Sequence, residues 1–167
     1  MKYDIEHFKL PRYHELPTVG LYLEQTITYI NDCLAPLGDI TVTSSMISNY
    51  VKKGYIERPI KKQYYAEQIA RLLFLVVAKQ VLPMPHIVAL FQLQRQTYTP
   101  EVAYNYYCRE FETMLYSLFG LPYQPSELEA DATFAKKMLR SVIIAVSHMI
   151  YVNHCFEDKA FQAECDE

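Results

Sequence analysis

Ser44, Ser45, Ser48 and Asn49 stand just ahead of five cations, Lys52, Lys53, Arg58, Lys61 and Lys62, opposed in that stretch by Glu57 alone. Short hydroxyl and amide side chains can donate and accept hydrogen bonds at base edges, and they are slim enough to enter a major groove. Lysine and arginine can hold backbone phosphates. In this order, the two groups have the chemistry needed to read duplex DNA. A merely solvated helix and loop would carry the same charges, so the surrounding elements must decide between the readings.

Those elements follow from spacing and punctuation. Met46, Ile47, Tyr50 and Val51 form an apolar face, which predicts a helix over residues 44–53 with Thr43 or a neighbouring hydroxyl as its cap and Gly54 as its stop. The four polar residues and Lys52 fall on the opposite side. Tyr55-Ile56 and Gln63-Tyr64 are β-formers that can pair as a very short ribbon around residues 57–62, limited in length by Pro59. Upstream, Val19, Leu23, Ile27, Ile30 and Leu34 share one helical face, which predicts a bracing helix capped by Thr18 and stopped at Gly38. Downstream, Ile69, Leu72 and Val76 predict a helix over residues 66–81, and Ile87, Leu90 and Phe91 a shorter one over residues 86–96.

The remaining chain reads as helical too. Thr99-Pro100 is a cap and first-turn pair for a helix over residues 101–119. Ser126 and Glu129 suggest a capping box opening a last helix over residues 127–157. Residues 1–17 read as irregular. The expected organisation is all-α with a minimal two-stranded wing: a helix-turn-helix unit over residues 1–83 and a helical dimerisation or effector unit over residues 84–167, with no flexible linker between them.

Residues 41–91 resemble the MerR-type winged helix-turn-helix. The likeness rests on Tyr50 near the end of the short helix, then Lys53-Gly54-Tyr55-Ile56, Pro59, a basic loop, and the pair Tyr64-Tyr65 before Ile69 and Leu72. Lys79-Gln80-Val81-Leu82 followed by His86-Ile87 is similar to the closing part of such domains. In place of the family's basic-aromatic-aromatic-acidic run, the helix carries Ser48-Asn49-Tyr50-Val51, and effector-metal cysteines are missing from the family's positions. The whole chain also resembles a family of small bacterial proteins known only as a domain of unknown function. The resemblance implies a DNA-binding transcriptional regulator acting on double-stranded DNA as a homodimer. A protein-protein interaction module on the same scaffold is the alternative, and an unknown small-molecule effector stays open.

Composition narrows the remaining classes. The chain has 167 residues, 51% hydrophobic and 21% charged, which suits a folded globular protein. Its net charge of −3 conceals an asymmetry, because residues 1–80 hold ten Lys/Arg against eight Asp/Glu while the rest hold six against eleven. The basic excess is therefore local, as expected for a local anionic partner. Cys33, Cys108, Cys155 and Cys165 form no CxxC pair, which suggests free thiols in a cytoplasmic setting. His148 and His154 lie six apart and do not share a helical face, so no metal or other cofactor is expected. P-loop, GxSxG and GxGxxG motifs are missing, and no enzyme activity is expected. Residues 141–156 are apolar but short for a membrane span, and read as a helix buried on more than one side. The tyrosines at 104, 106, 107, 116 and 123 fit a core or interface better than a pocket.

Overall fold

Helix α3 (Ala66–Ala78) is apolar around almost its whole circumference, so neighbours must cover it on every side. From Gln68 to Ala78 every residue except Arg71 is buried. The structure, a computed structural model, describes residues 2–166, leaving aside the side chains of residues 160 and 161. In chain order the elements are β1 (Leu21–Tyr22), α1 (Leu23–Leu34), α2 (Ser44–Lys52), β2 (Gln63–Tyr64), α3, α4 (Met84–Arg95), α5 (Pro100–Leu118), α6 (Phe134–Glu157) and α7 (Lys159–Cys165). Helices α1, α5 and α6 pack on α3, and α4 and α5 pack on α6. The buried residues form one cluster running from Ile5 to Ile150, so the two halves share a core, as the missing linker predicts.

Several expected boundaries move, each for a physical reason. The first long helix starts at Leu23 rather than after Thr18, because residues 21 and 22 are strand, pairing antiparallel with β2. Val19, expected on the buried stripe, is 69% exposed. Close pairing here depends on Gly20: a Cβ at that position would lie 2.7 Å from Gln63 Cβ. Helix α3 stops at Ala78 rather than at 81. The Ser126–Glu129 capping box is not used either. Helix α6 begins at Phe134, and the hydroxyl of Thr133 accepts from the Lys136 amide at 3.3 Å. Thr99 caps α5 as expected, accepting from the Val102 amide.

The N-terminal stretch carries more of the packing than its lack of periodicity suggested. It contains two 3-10 turns, Ile5–His7 and Tyr13–Glu15, and buries Ile5, Phe8, Leu10 and Leu16. It crosses α5 as a strap held by polar contacts. Arg12 donates to both carboxylate oxygens of Glu112 at 2.8 and 2.7 Å, and the Leu10 amide donates to the same carboxylate at 2.8 Å. The hydroxyls of Tyr104 and Tyr116 donate to the carbonyls of Pro11 and Phe8. Lys2 bridges Asp39 and Glu157.

Helix α6 is longer than the apolar run within it. It is 24 residues long and contains an 18-residue window of mean hydropathy 1.2, so by length and composition it could span a membrane. It is not buried all round: Val142, Ile143, Val146 and Ile150 face the core, while Ile144, Tyr151 and Val152 are exposed.

Candidate nucleic-acid interface

Helix α2 is built by signals local to its own sequence. Thr43 is extended, and its hydroxyl accepts from the Met46 amide at 3.3 Å. At the other end Gly54 takes φ +76°. There the Tyr55 amide donates to the Tyr50 carbonyl at 2.8 Å and the Gly54 amide to Val51 at 3.0 Å, the two bonds of a Schellman stop. Ile47 and Tyr50 are buried, with Met46 and Val51 half-buried beside them. Ser44, Ser45, Ser48, Asn49 and Lys52 are all exposed, as are Lys53, Arg58, Lys61 and Lys62. The Ser45 hydroxyl lies 3.2 Å from that of Thr43, so it is partly engaged with the cap.

Three side chains outside the predicted site fix this helix and the loop after it. Asn31 on α1 clamps the connector into α2: its amide nitrogen donates to the Val42 carbonyl at 3.0 Å, and its oxygen accepts from the Val42 amide at 2.8 Å. Lys79, at the end of α3, donates to the Tyr50 hydroxyl at 3.0 Å and ties α2 to the central helix. Gln68, buried on α3, donates to the carbonyls of Glu57 and Arg58 at 3.1 and 3.0 Å and accepts from the Tyr65 amide at 2.8 Å. Apolar periodicity cannot reveal these positioning roles. The available signal for Gln68 was a long polar side chain on the buried stripe of an otherwise apolar helix, which must find partners.

The wing differs from the expected ribbon. Tyr55 and Ile56 do not pair with residues 63 and 64; their amides both turn back to the Tyr50 carbonyl. Gln63 and Tyr64 pair instead with Tyr22 and Leu21. Ahead of β2, Ile60 and Gln63 exchange two backbone hydrogen bonds of 3.0 and 2.9 Å across a two-residue turn. Lys61 and Lys62 are its central residues, at φ +49° and +66°. Positive φ at both centres is the pattern of a type I′ hairpin turn, which normally selects Asn-Gly. Two adjacent lysines in this region are uncommon, and they place both ammonium groups at the tip of the turn.

Charge is sorted in the same region. Glu57 is turned toward Arg71 and Arg95, at 3.9 and 3.8 Å. Among the described residues, Lys52, Lys53, Arg58, Lys61 and Lys62 make no ion pair, so the cations stay available to an external anion. Among those residues, too, no group of three or more His, Cys, Asp or Glu is arranged to hold a metal ion.

A family model described as a domain of unknown function, DUF1836, matches residues 11–107. This match runs from the strap through α2, the lysine turn and α3 into α5. No curated protein and no solved structure matches the chain.

Proposed function

The chain belongs to the DUF1836 family, and we propose that it is a sequence-specific DNA-binding protein of MerR-like winged helix-turn-helix type, acting as a transcriptional regulator. Helix α2 would enter the major groove. Ser44, Ser48 and Asn49 would meet base edges, with Ser45 assisting from the cap. Lys52, Lys53, Arg58, Lys61 and Lys62 would contact phosphates, with the lysine turn as the wing. The observation that carries this reading is the sorting of charge: the one carboxylate within residues 52–62 is directed at Arg71 and Arg95, while the five cations there have no carboxylate partner among the described residues. The exposed apolar side chains of α6, including Ile144, Tyr151 and Val152, support a homodimer that reads two half-sites.

Affinity for random duplex DNA is the first test. Five phosphate contacts predict a slope of log K against log salt of about −4.5 per protomer. Replacing Lys52, Lys53, Lys61 and Lys62 by alanine would bring it to about −0.9 by the same arithmetic. Absence of DNA binding at low salt would refute the proposal, as would a quadruple variant that binds like the parent. The exposed apolar face of α6 also fits the second reading, a protein-protein interaction module without DNA binding. Sedimentation equilibrium of the full chain separates a homodimer from a monomer.

A further inference from the structure

The tyrosine-rich packing between α3, α4, α5 and α6 does not close completely. One cavity, of about 50 Å³, opens beside Arg71 and Arg95. A second, of about 340 Å³, lies beside Arg109 and Lys136. Gln94, Tyr98 and Ala103 line both, so the two cavities adjoin across these residues. The larger cavity lies within the range of small-molecule sites, roughly 300–1,000 Å³. The smaller has room for little more than an acid group.

Charge at the smaller cavity is loosely satisfied. The Arg71 side chain is only 12% exposed and lies 5.6 Å from the centre of the Phe91 ring. It donates to Glu67 at 3.1 Å. Its second carboxylate partner, Glu57, is shared with Arg95 at nearly 4 Å from each and is 66% exposed. Charge-assisted hydrogen bonds between such groups are normally about 2.7–2.9 Å long. Burial, with the Arg95 charge second, lowers the Arg71 pKa from its ordinary value. If Glu57 leaves, Arg71 and Arg95 against Glu67 hold one net positive charge, which matches a monoanion.

We propose that these adjoining cavities bind a small organic monocarboxylate, whose acid group replaces Glu57 between Arg71 and Arg95 and whose apolar body lies along Tyr98 into the larger cavity. This site goes beyond the DNA-binding reading and does not depend on it. Its consequence for the wing follows from Gln68, which holds the backbone of Glu57 and Arg58: displacing the Glu57 side chain removes one of the ties between that backbone and the helices.

Calorimetric titration of the full chain tests the site, with benzoate as probe, since an apolar cavity of about 150 Å³ suffices for a benzene ring. Benzamide, acetate and inorganic phosphate are the comparisons. Benzoate should bind at least tenfold tighter than each of the three. Arg95→Gln, at a half-exposed position, should weaken benzoate binding tenfold or more, and Glu57→Gln should tighten it. Equal binding of benzamide, tighter binding of phosphate, an unaffected Arg95→Gln variant, or no binding of any probe would overturn the proposal. Amide exchange across residues 57–63 should rise when benzoate saturates the protein; unchanged exchange would overturn the displacement of Glu57.

Discussion

Replacing Lys61 by asparagine and Lys62 by glycine sets the stability of the wing against its proposed use. A left-handed conformation costs an ordinary L-residue about 1–2 kcal/mol, and glycine escapes that cost while losing about 0.5–1 kcal/mol through the freedom of its unfolded chain. Asparagine tolerates the region better than lysine does. With φ at +49° and +66°, the net gain is about 1 kcal/mol, which for a chain of this size raises Tm by roughly 2–4 °C. The same change removes two phosphate contacts. The salt slope should flatten by about 1.8 per protomer, and affinity at 0.15 M salt should fall about 30-fold. Calorimetric melting and fluorescence anisotropy on one duplex measure both effects. The control is the double substitution Lys61→Arg with Lys62→Arg, which keeps the charge and should keep the affinity. An asparagine-glycine variant that melts lower than the parent would refute the account of the turn. One that melts higher but binds DNA with an unchanged slope would remove these lysines from the interface.

Three further outcomes follow from the packing. Gln68→Leu leaves the carbonyls of Glu57 and Arg58 without their donor and should cost about 1–3 kcal/mol in urea unfolding; a change below about 0.5 kcal/mol, by the same scale, would show that water replaces the amide. Gly20→Ala brings a Cβ to 2.7 Å from Gln63 Cβ and should destabilise by about 1–3 kcal/mol, and parental stability would mean that β1 and β2 can separate without penalty. The His7 Nδ1–H donates to the Asp4 carboxylate at 2.8 Å, and that hydrogen bond raises its pKa above 6.5. Native His7 therefore holds its proton more tightly than the unfolded chain does. Its contribution to stability is complete below the unfolded value and is lost as pH rises through the folded one. An NMR titration should show a midpoint above 6.5 that returns toward it in Asp4→Asn, and an unmoved midpoint would disprove the assignment.

What the sequence disclosed was mostly what is encoded within a few residues. Thr43, Gly54, Thr99 and the apolar faces of α2 and α4 each act over one or two turns of chain, and they are found where spacing predicts. The wing differs from its expected form because the partner of β2 lies about 40 residues upstream, at Leu21 and Tyr22. Val19 and Leu23 happen to continue a helical stripe, and nothing local reveals that Gly20 permits a strand instead. Ser126 and Glu129 show the opposite failure, a valid local signal with no buried apolar face behind it until Ala135 and Leu139. The strap was illegible because Ile5, Phe8, Leu10 and Leu16 follow no period; tertiary partners on α5 determine their burial. Among the candidate site residues, exposure was readable from the polar face and the charges. The groups that position them, Asn31, Gln68 and Lys79, act across long sequence separations and were not.

The strap also determines when the protein can finish folding during synthesis. Arg12 meets Glu112 across 100 residues of chain. At about 5–20 residues per second, a ribosome delivers α5 some 5–20 s after the strap emerges. Until then Leu10 and Phe8 have no core to enter, and the Arg12 guanidinium has no carboxylate. Helix α2 and its lysine turn can form early, yet the body that must hold them is completed late. The nascent chain would thus expose an apolar N-terminal segment for seconds, long enough for chaperones to bind it.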